Sequence, residues 1–206
     1  MTTHTSRRFL TFTLGLIVTA SALILPGIAP VHAQRGRDGR LVAQARSMTG
    51  DNFPVAVSTP RGAQVYAAST PRREALNAID DGLTQLFAVA RRQGYDARLN
   101  YSDYTIFIAR ADRTKNSDGA YSPDIALGAA QYAGSVYDQG GFIYAAGLVL
   151  SYQPCAFVIA DHERDWQRVA NVVRFEGEHL VLYHNDRRRY QQTADHSRGG
   201  GHPILQ

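Results

Sequence analysis

Two stretches of the chain carry apolar residues at the three- and four-residue spacing of an amphipathic helix. The first follows Pro71, a residue favoured at the first helical position, and ends at Gly94. The second begins after Asp161, whose side chain can cap exposed amide groups. We therefore predict two long helices, each burying one face. The apolar positions are Leu76, Ile79, Leu83, Leu86, Phe87 and Ala90 in the first, and Trp166, Val169, Ala170, Val173 and Leu180 in the second.

Five shorter runs have the composition of strands. Residues 97–101 and 104–110 are rich in β-branched and aromatic residues and are separated by two polar residues, which predicts a hairpin. Residues 142–151 and 156–160 are almost wholly apolar and predict buried strands, and residues 64–68 predict a short one. Together with the helices, these runs predict an α+β fold in which a small, mostly antiparallel sheet packs with two long helices.

The first 33 residues have the pattern of an export signal. Arg7 and Arg8 supply the positive start, an apolar segment extends to Ile28, and a small-residue cleavage site ends at Ala33. We therefore predict a periplasmic or secreted product with no stable membrane anchor after cleavage. An uncleaved anchor is the alternative. The run around the two arginines also resembles the twin-arginine signal, so the route of export stays open between that pathway and the general one.

The remaining 173 residues, 206 minus 33, suit one domain with its own core. Residues 34–61 carry Gly, Arg, Ser, Thr and Pro without sustained periodicity, so we predict a flexible leader there. Residues 62–206 are predicted to form a single α+β domain with a tail rich in histidine and glycine.

Charge and cysteine usage exclude some classes of function. The formal net charge of +4 falls to +2 when Arg7 and Arg8 are removed with the signal, because no acidic residue is removed with them. So small a surplus argues against nucleic acid as a partner. The single cysteine, Cys155, cannot form an internal disulfide, so stability in an oxidising compartment must come from packing or from a bound ion.

The chemistry of the chain is concentrated near its C-terminus. Histidine is the commonest metal ligand and the usual general base, so this concentration predicts the functional site. The histidines at its centre are accompanied by two glutamates and two aspartates. The residues are His162, Glu176, Glu178, His179, His184, Asp186, Asp195, His196 and His202.

Helical geometry predicts a metal site from part of this set. Glu176 and His179 are three residues apart, so their side chains emerge from the same face of the second helix. The glycines at 199–201 allow the tail to bend and to bring His196 and His202 to that face. Three histidines with Glu176, as fourth ligand or as base for a bound water, satisfy tetrahedral zinc. We therefore predict a zinc site of His179, His196, His202 and Glu176.

The run Phe175-Glu176-Gly177-Glu178-His179 resembles the His-Glu-x-x-His helix of zincin-type metallopeptidases. The resemblance implies a helix packed on a small sheet, with Glu176 as the general base and His179 as a zinc ligand. Phe175 stands where that motif has its first ligand. On this hypothesis the protein is an exported metal-binding protein, a zincin-like hydrolase with Glu176 as its catalytic residue and an unknown peptide or small ligand as its partner.

Two alternatives compete with this hypothesis. In the first, the protein is a non-enzymatic binding or structural protein of the cell envelope, and its histidines serve only structure. In the second, Glu178-His179, Asn185 and His196 follow the order of the His-Asn-His nucleases. That fold needs its first histidine on a hairpin, whereas His179 is predicted inside a helix, and the chain lacks the positive charge that DNA binding requires.

Overall fold

The computed structural model describes residues 31–111, 125–127, 143–162, 164–196 and 200–205, with the backbone alone for 31–38, 126–127 and 143–144. Residues 32–206 belong to one compact unit. The export signal lies almost wholly outside the described residues and stays a prediction. None of the described helices combines the length and the apolar composition needed to cross a bilayer.

The elements of the described residues are, in chain order, α1 (Val31–Thr49), β1 (Val55–Ser58), β2 (Gln64–Ala67), α2 (Arg73–Arg92), a 3₁₀ turn (Tyr101–Asp103), β3 (Tyr104–Ala109), β4 (Ile125–Leu127), β5 (Ile143–Ala145), β6 (Gly147–Tyr152), β7 (Cys155–Ala160), α3 (Trp166–Asn185) and α4 (Arg187–Thr193). This confirms the α+β prediction, with α2 and α3 as the two long helices predicted from periodicity.

The main sheet has five strands in the order β1-β2-β3-β7-β6. Its two central ladders, β2 with β3 and β3 with β7, are parallel. Its two outer ladders, β1 with β2 and β6 with β7, are antiparallel, and β4 pairs with β5 as a separate antiparallel ribbon. The sheet is therefore mixed. Because its centre is parallel, the carboxyl ends of β2, β3 and β7 lie at the same end of the sheet.

Both faces of the sheet are covered, which explains why β3 and β7 are buried at every position. Alternate residues of β3 point to opposite faces because the side-chain period of a strand is two. Ile106 lies in the core formed with α2 and α3, whereas Phe107 lies in the core formed with α1. Two hydrophobic cores thus share one sheet.

The prediction of a flexible leader over residues 34–61 is corrected by the structure, because α1 and β1 occupy most of this segment. Leu41 and Ala45 of α1 are buried in one cluster with Phe53, which precedes β1, and Phe107 of β3. Gln44 Nε2 donates to the Leu150 carbonyl oxygen at 2.6 Å. α1 contains few apolar residues among its arginines and glycines, so the helical periodicity of its sequence is weak. Tertiary burial, which periodicity does not record, stabilises this helix.

The hairpin predicted from 97–101 and 104–110 is also wrong, since only the second run is a strand. Arg98 has a positive φ of 60°, and its carbonyl oxygen accepts from the Tyr104 hydroxyl at 2.9 Å. Asn100 and Asp103 cap the 3₁₀ turn between them. These local bonds replace strand pairing, while β3 finds its partners in β2 and β7.

The two long helices pack unusually closely through glycine. A Cβ at Gly82 of α2 would lie 2.6 Å from the carbonyl oxygen of Ala170, and a Cβ at Gly177 of α3 would lie 2.5 Å from Leu86 Cδ2. This contact buries one side of α3 between α2 and the sheet. The side that carries Glu178 and His179 is left to the C-terminal tail.

Candidate metal centre

The C-terminal tail folds back over α3 after a reversal beyond α4. Gly200 N donates to the Asp195 carbonyl oxygen and Gly201 N to that of Thr193, both at 3.0 Å. A Cβ at Gly200 would lie 2.7 Å from the Asp195 oxygen. Position 200 therefore requires glycine for close approach. The reversal places His196 and His202 together above α3.

Three histidines meet at this point. One nitrogen each from His179, His196 and His202 can be chosen so that all three lie within 4.8 Å of one another. The ring centroids are 4.8 to 5.0 Å apart. Zinc–nitrogen bonds of about 2.0–2.1 Å at a tetrahedral centre separate the nitrogens by about 3.3 Å. Small rotations of the three side chains bridge this difference.

His179 has the environment of a metal ligand. It is 7% exposed, and its buried Nδ1 has no hydrogen-bond partner among the described residues. Desolvation, reinforced by repulsion from His202 and His196, lowers its pKa to about 3. The ring is therefore neutral at neutral pH and keeps a lone pair. An unsatisfied buried nitrogen costs about 1–3 kcal/mol, which a metal bond would offset.

His196 follows the same electrostatic logic. Burial is the largest cause of its lowered pKa, and a charge on His202 lowers it further. The carboxylates of Glu178 and Asp195 act in the opposite direction. Two rings of the cluster therefore resist protonation, and neutral imidazole is the form that binds metals.

Glu178 holds the tail against the helix. Its fully buried carboxylate accepts from the Ile204 backbone amide at 2.8 Å through Oε1, and its Oε2 lies 3.0 Å from His202 Nδ1. A carboxylate on one imidazole nitrogen fixes the ring and leaves the other nitrogen for a metal. Glu178 was not predicted to be part of the metal site. The available signal was a carboxylate next to His179 and just before the apolar run 180–183, because a carboxylate needs partners once it is buried.

Phe175 supports the same ring from its other side. Its ring stacks on His202 at 4.6 Å with an interplanar angle of 24°, and 38% of the residue is exposed. In the resemblance to zincins this position belongs to a metal ligand. Here it lies beside a ligand candidate that the tail supplies.

Glu176 is not a member of the histidine group. Its carboxylate accepts a hydrogen bond from the Val149 backbone, and a Cβ at Gly147 would lie 2.9 Å from its Cγ, so it faces strand β6. Desolvation there raises its pKa to about 8, partly opposed by the Val149 bond. Three residues of helix rotate a side chain by about 60° from His179, which is enough to turn Glu176 to the sheet.

His184, Cys155 and Asn185 make structural contacts outside the histidine group. His184 Nε2 lies 2.7 Å from the Tyr152 carbonyl oxygen and 3.6 Å from Cys155 Sγ. Burial raises the Cys155 pKa to about 11, so the thiol is not an activated nucleophile. Asn185 accepts from the Ala97 amide at 2.9 Å and donates to the Ala97 carbonyl at 3.0 Å. These contacts give Asn185 a structural role instead of the role that the nuclease hypothesis implies for it.

Protein-family models, curated proteins and solved structures give no match to this chain. The zincin resemblance therefore stays a prediction carried by residues 175–179. Function is therefore inferred from the geometry of His179, His196, His202 and Glu178.

Proposed function

We propose that this protein binds a divalent transition-metal ion, with Zn²⁺ as the first candidate, through His179, His196 and His202. The observation that carries the proposal is the convergence of three imidazoles, among which His179 has a buried nitrogen with no hydrogen-bond partner among the described residues. Imidazole nitrogen suits zinc, copper, nickel and iron. A periplasmic or secreted location, predicted from the N-terminal sequence, is part of this proposal.

The number of ligands favours an accessible ion over a closed structural one. Among the described residues, the group contains three histidines and no carboxylate. Structural zinc sites use four protein ligands, whereas sites that bind water or substrate use three and keep one position for it. A bound ion of this kind would act as a Lewis acid and would lower the pKa of a coordinated water.

The residues of the site have different roles in binding the metal ion. His179 offers a rigid, buried nitrogen on α3, and the tail adds His196 and His202. Glu178 and Phe175 hold the His202 ring from two directions. Glu176 faces β6, so the proposal is metal binding and assigns it neither the fourth ligand position nor the role of base.

Calorimetric titration of chelator-stripped protein, residues 34–206, with zinc chloride tests the proposal. We expect one ion per chain, and each of His179→Ala, His196→Ala and His202→Ala should weaken binding about 100-fold or more, since each removes a ligand. Glu178→Gln should weaken it by about 10–100-fold, the usual cost of losing a carboxylate behind a histidine ligand.

Two matched variants serve as controls. His184→Ala removes a histidine of the same helix that contacts Tyr152 and Cys155, and Glu176→Gln removes the carboxylate at β6. Both should retain zinc affinity within about twofold, with circular dichroism checking the fold of every variant. Non-saturable binding, or an equal loss in His184→Ala, would overturn the proposal. A loss confined to Glu176→Gln and the three ligand variants would restore Glu176 to the site.

A further inference from the structure

A second concave site lies where the parallel strands β2, β3 and β7 end. It is a cavity of about 520 Å³ lined by residues that follow β2 and β7, by the start of α2 and by Trp166 at the start of α3. Trp166 and His179 are 13 residues apart on α3, which is roughly 20 Å at 1.5 Å per residue. The cavity is therefore separate from the histidine cluster.

The backbone around this cavity is fixed by extensions of the sheet. Ala68 N donates to the Ile108 carbonyl oxygen at 3.0 Å, and Asp161 N donates to that of Ala109 at 2.8 Å. Each bond continues a parallel ladder one residue beyond the strand. Ser69 and Asp161 are thus held on either side of the end of β3. In open sheets with parallel strands, ligands bind outside the carboxyl ends of those strands.

Among the described residues, the cavity lining carries more positive than negative charge. Arg72 and Arg164 line it, and Asp161 is its only acidic residue among those described. Neither guanidinium forms an ion pair with a described carboxylate. Ser69 and Thr70 also line the cavity, and a hydroxyl group can donate a hydrogen bond.

The start of α2 adds to this positive character. Arg72 is its N-cap and makes no side-chain cap hydrogen bond, so no N-cap side chain satisfies the first amide groups of the helix. Unsatisfied amides at a helix start favour negative charge. The cavity lining also includes apolar residues, of which Trp166 and Ile108 are the largest.

We propose that this cavity binds a small organic anion, a carboxylate or phosphate ester joined to an apolar or aromatic group. The two guanidinium groups and the hydroxyls of Ser69 and Thr70 bind the anionic end, because guanidinium donors match both headgroups in a bidentate manner. The apolar end packs on Trp166. The volume is within the range of about 300–1,000 Å³ that is typical of small-molecule sites.

Trp166 is the only tryptophan of the chain, so its fluorescence reports directly on the cavity. The protein is titrated in phosphate-free buffer with phenyl phosphate and with phenylacetate, and benzyl alcohol is the neutral comparison. We expect a saturable fluorescence change with at least one anion and none with the alcohol. The anion that binds more tightly identifies the headgroup. The proposal would be overturned if neither anion gave a saturable fluorescence change, or if the alcohol gave an equal change.

Substitutions of exposed residues locate the effect. Arg72→Gln and Arg164→Gln should each weaken anion binding about tenfold, and Ser69→Glu should abolish it by placing a negative charge in the cavity. Arg92→Gln, at the far end of α2, should leave binding within about twofold. Equal weakening in Arg92→Gln, or unchanged binding in both other arginine variants, contradicts the assignment. His179→Ala should not affect anion binding, which keeps this test independent of the metal proposal.

Discussion

Neighbouring residues of one helical turn of α3 have different environments that spacing alone does not distinguish. Glu178 and His179 face the tail, whereas Glu176 faces β6. Glu176 was predicted to lie with the histidines because a three-residue separation is compatible with one helical face. A side chain that is rotated by about 60° can also contact a second surface, and only the packing of α3 decides which of the two surfaces it contacts.

The Glu176 carboxyl should make stability depend on pH. Its pKa of about 8 in the folded protein exceeds the ordinary value of 4.5, so the folded state holds the proton more tightly. The stabilisation is complete below about pH 4.5 and is lost as pH rises through about 8. Glu176→Gln cannot ionise, so its free energy of unfolding should fall less than that of the wild type between pH 5 and pH 8.5. Urea denaturation at both values measures this difference.

A control for that prediction is Glu74→Gln, which removes an exposed carboxyl from the first turn of α2. Its pH profile should follow the wild type. A Glu176→Gln profile parallel to that of the wild type would show that the carboxyl stays ionised in the folded protein.

At the scale of elements, periodicity predicted α2 and α3 because each buries a continuous apolar face. It missed α1, whose burial depends mainly on Leu41 and Ala45. It also predicted a strand over 97–101, where Arg98 and the capped turn form local bonds instead. Composition records the propensity for a strand, but it does not record which hydrogen-bond partners the rest of the chain supplies.

Glycine substitutions in two helices should have opposite effects. Alanine favours a helix over glycine by about 0.5–1 kcal/mol. At the exposed Gly39 of α1, a Cβ would have nothing within 4 Å, so Gly39→Ala should stabilise the protein by about that amount. At Gly82 of α2, the Cβ would meet the Ala170 carbonyl oxygen at 2.6 Å. Gly82→Ala should therefore destabilise by about 1–3 kcal/mol despite its better propensity.

Urea denaturation of both variants beside the wild type measures the two changes in the free energy of unfolding. Because the backbone oxygen of Ala170 cannot move aside as a side chain can, the helices must separate to accept the methyl group. A Gly82→Ala variant as stable as the wild type would mean that α2 and α3 can separate without loss.

At the scale of the whole molecule, the sequence identified the histidine-rich tail because histidines are rare and were concentrated there. The strand order could not be predicted from the sequence. The parallel pairing of β3 with β7 joins Tyr104 to Cys155, and nothing in either run specifies so distant a partner. The cavity at the strand ends was missed for the same reason, since its residues converge only after this pairing.

Removal of α1 should test whether residues before Gly62 belong to the folded domain. A protein of residues 51–206 lacks Leu41 and Ala45, and it exposes the sheet face around Phe107. Burial of one leucine-sized side chain is worth about 1.5–3 kcal/mol, so we expect a loss of several kcal/mol and a greater tendency to aggregate than in residues 34–206. Thermal melts followed by circular dichroism compare the two proteins. Equal melting temperatures would restore the flexible-leader prediction.

Strand β3 has a strand bonded along each edge and a hydrophobic core against each face. We therefore expect local opening of an edge strand, a helix or the tail to leave its backbone hydrogen bonds protected. Its amide hydrogens therefore exchange with deuterium only when the whole domain unfolds, and their exchange rate reports the total free energy of unfolding. An ion on the distant histidines would slow that exchange without touching the strand, because binding to the folded state alone makes global unfolding rarer.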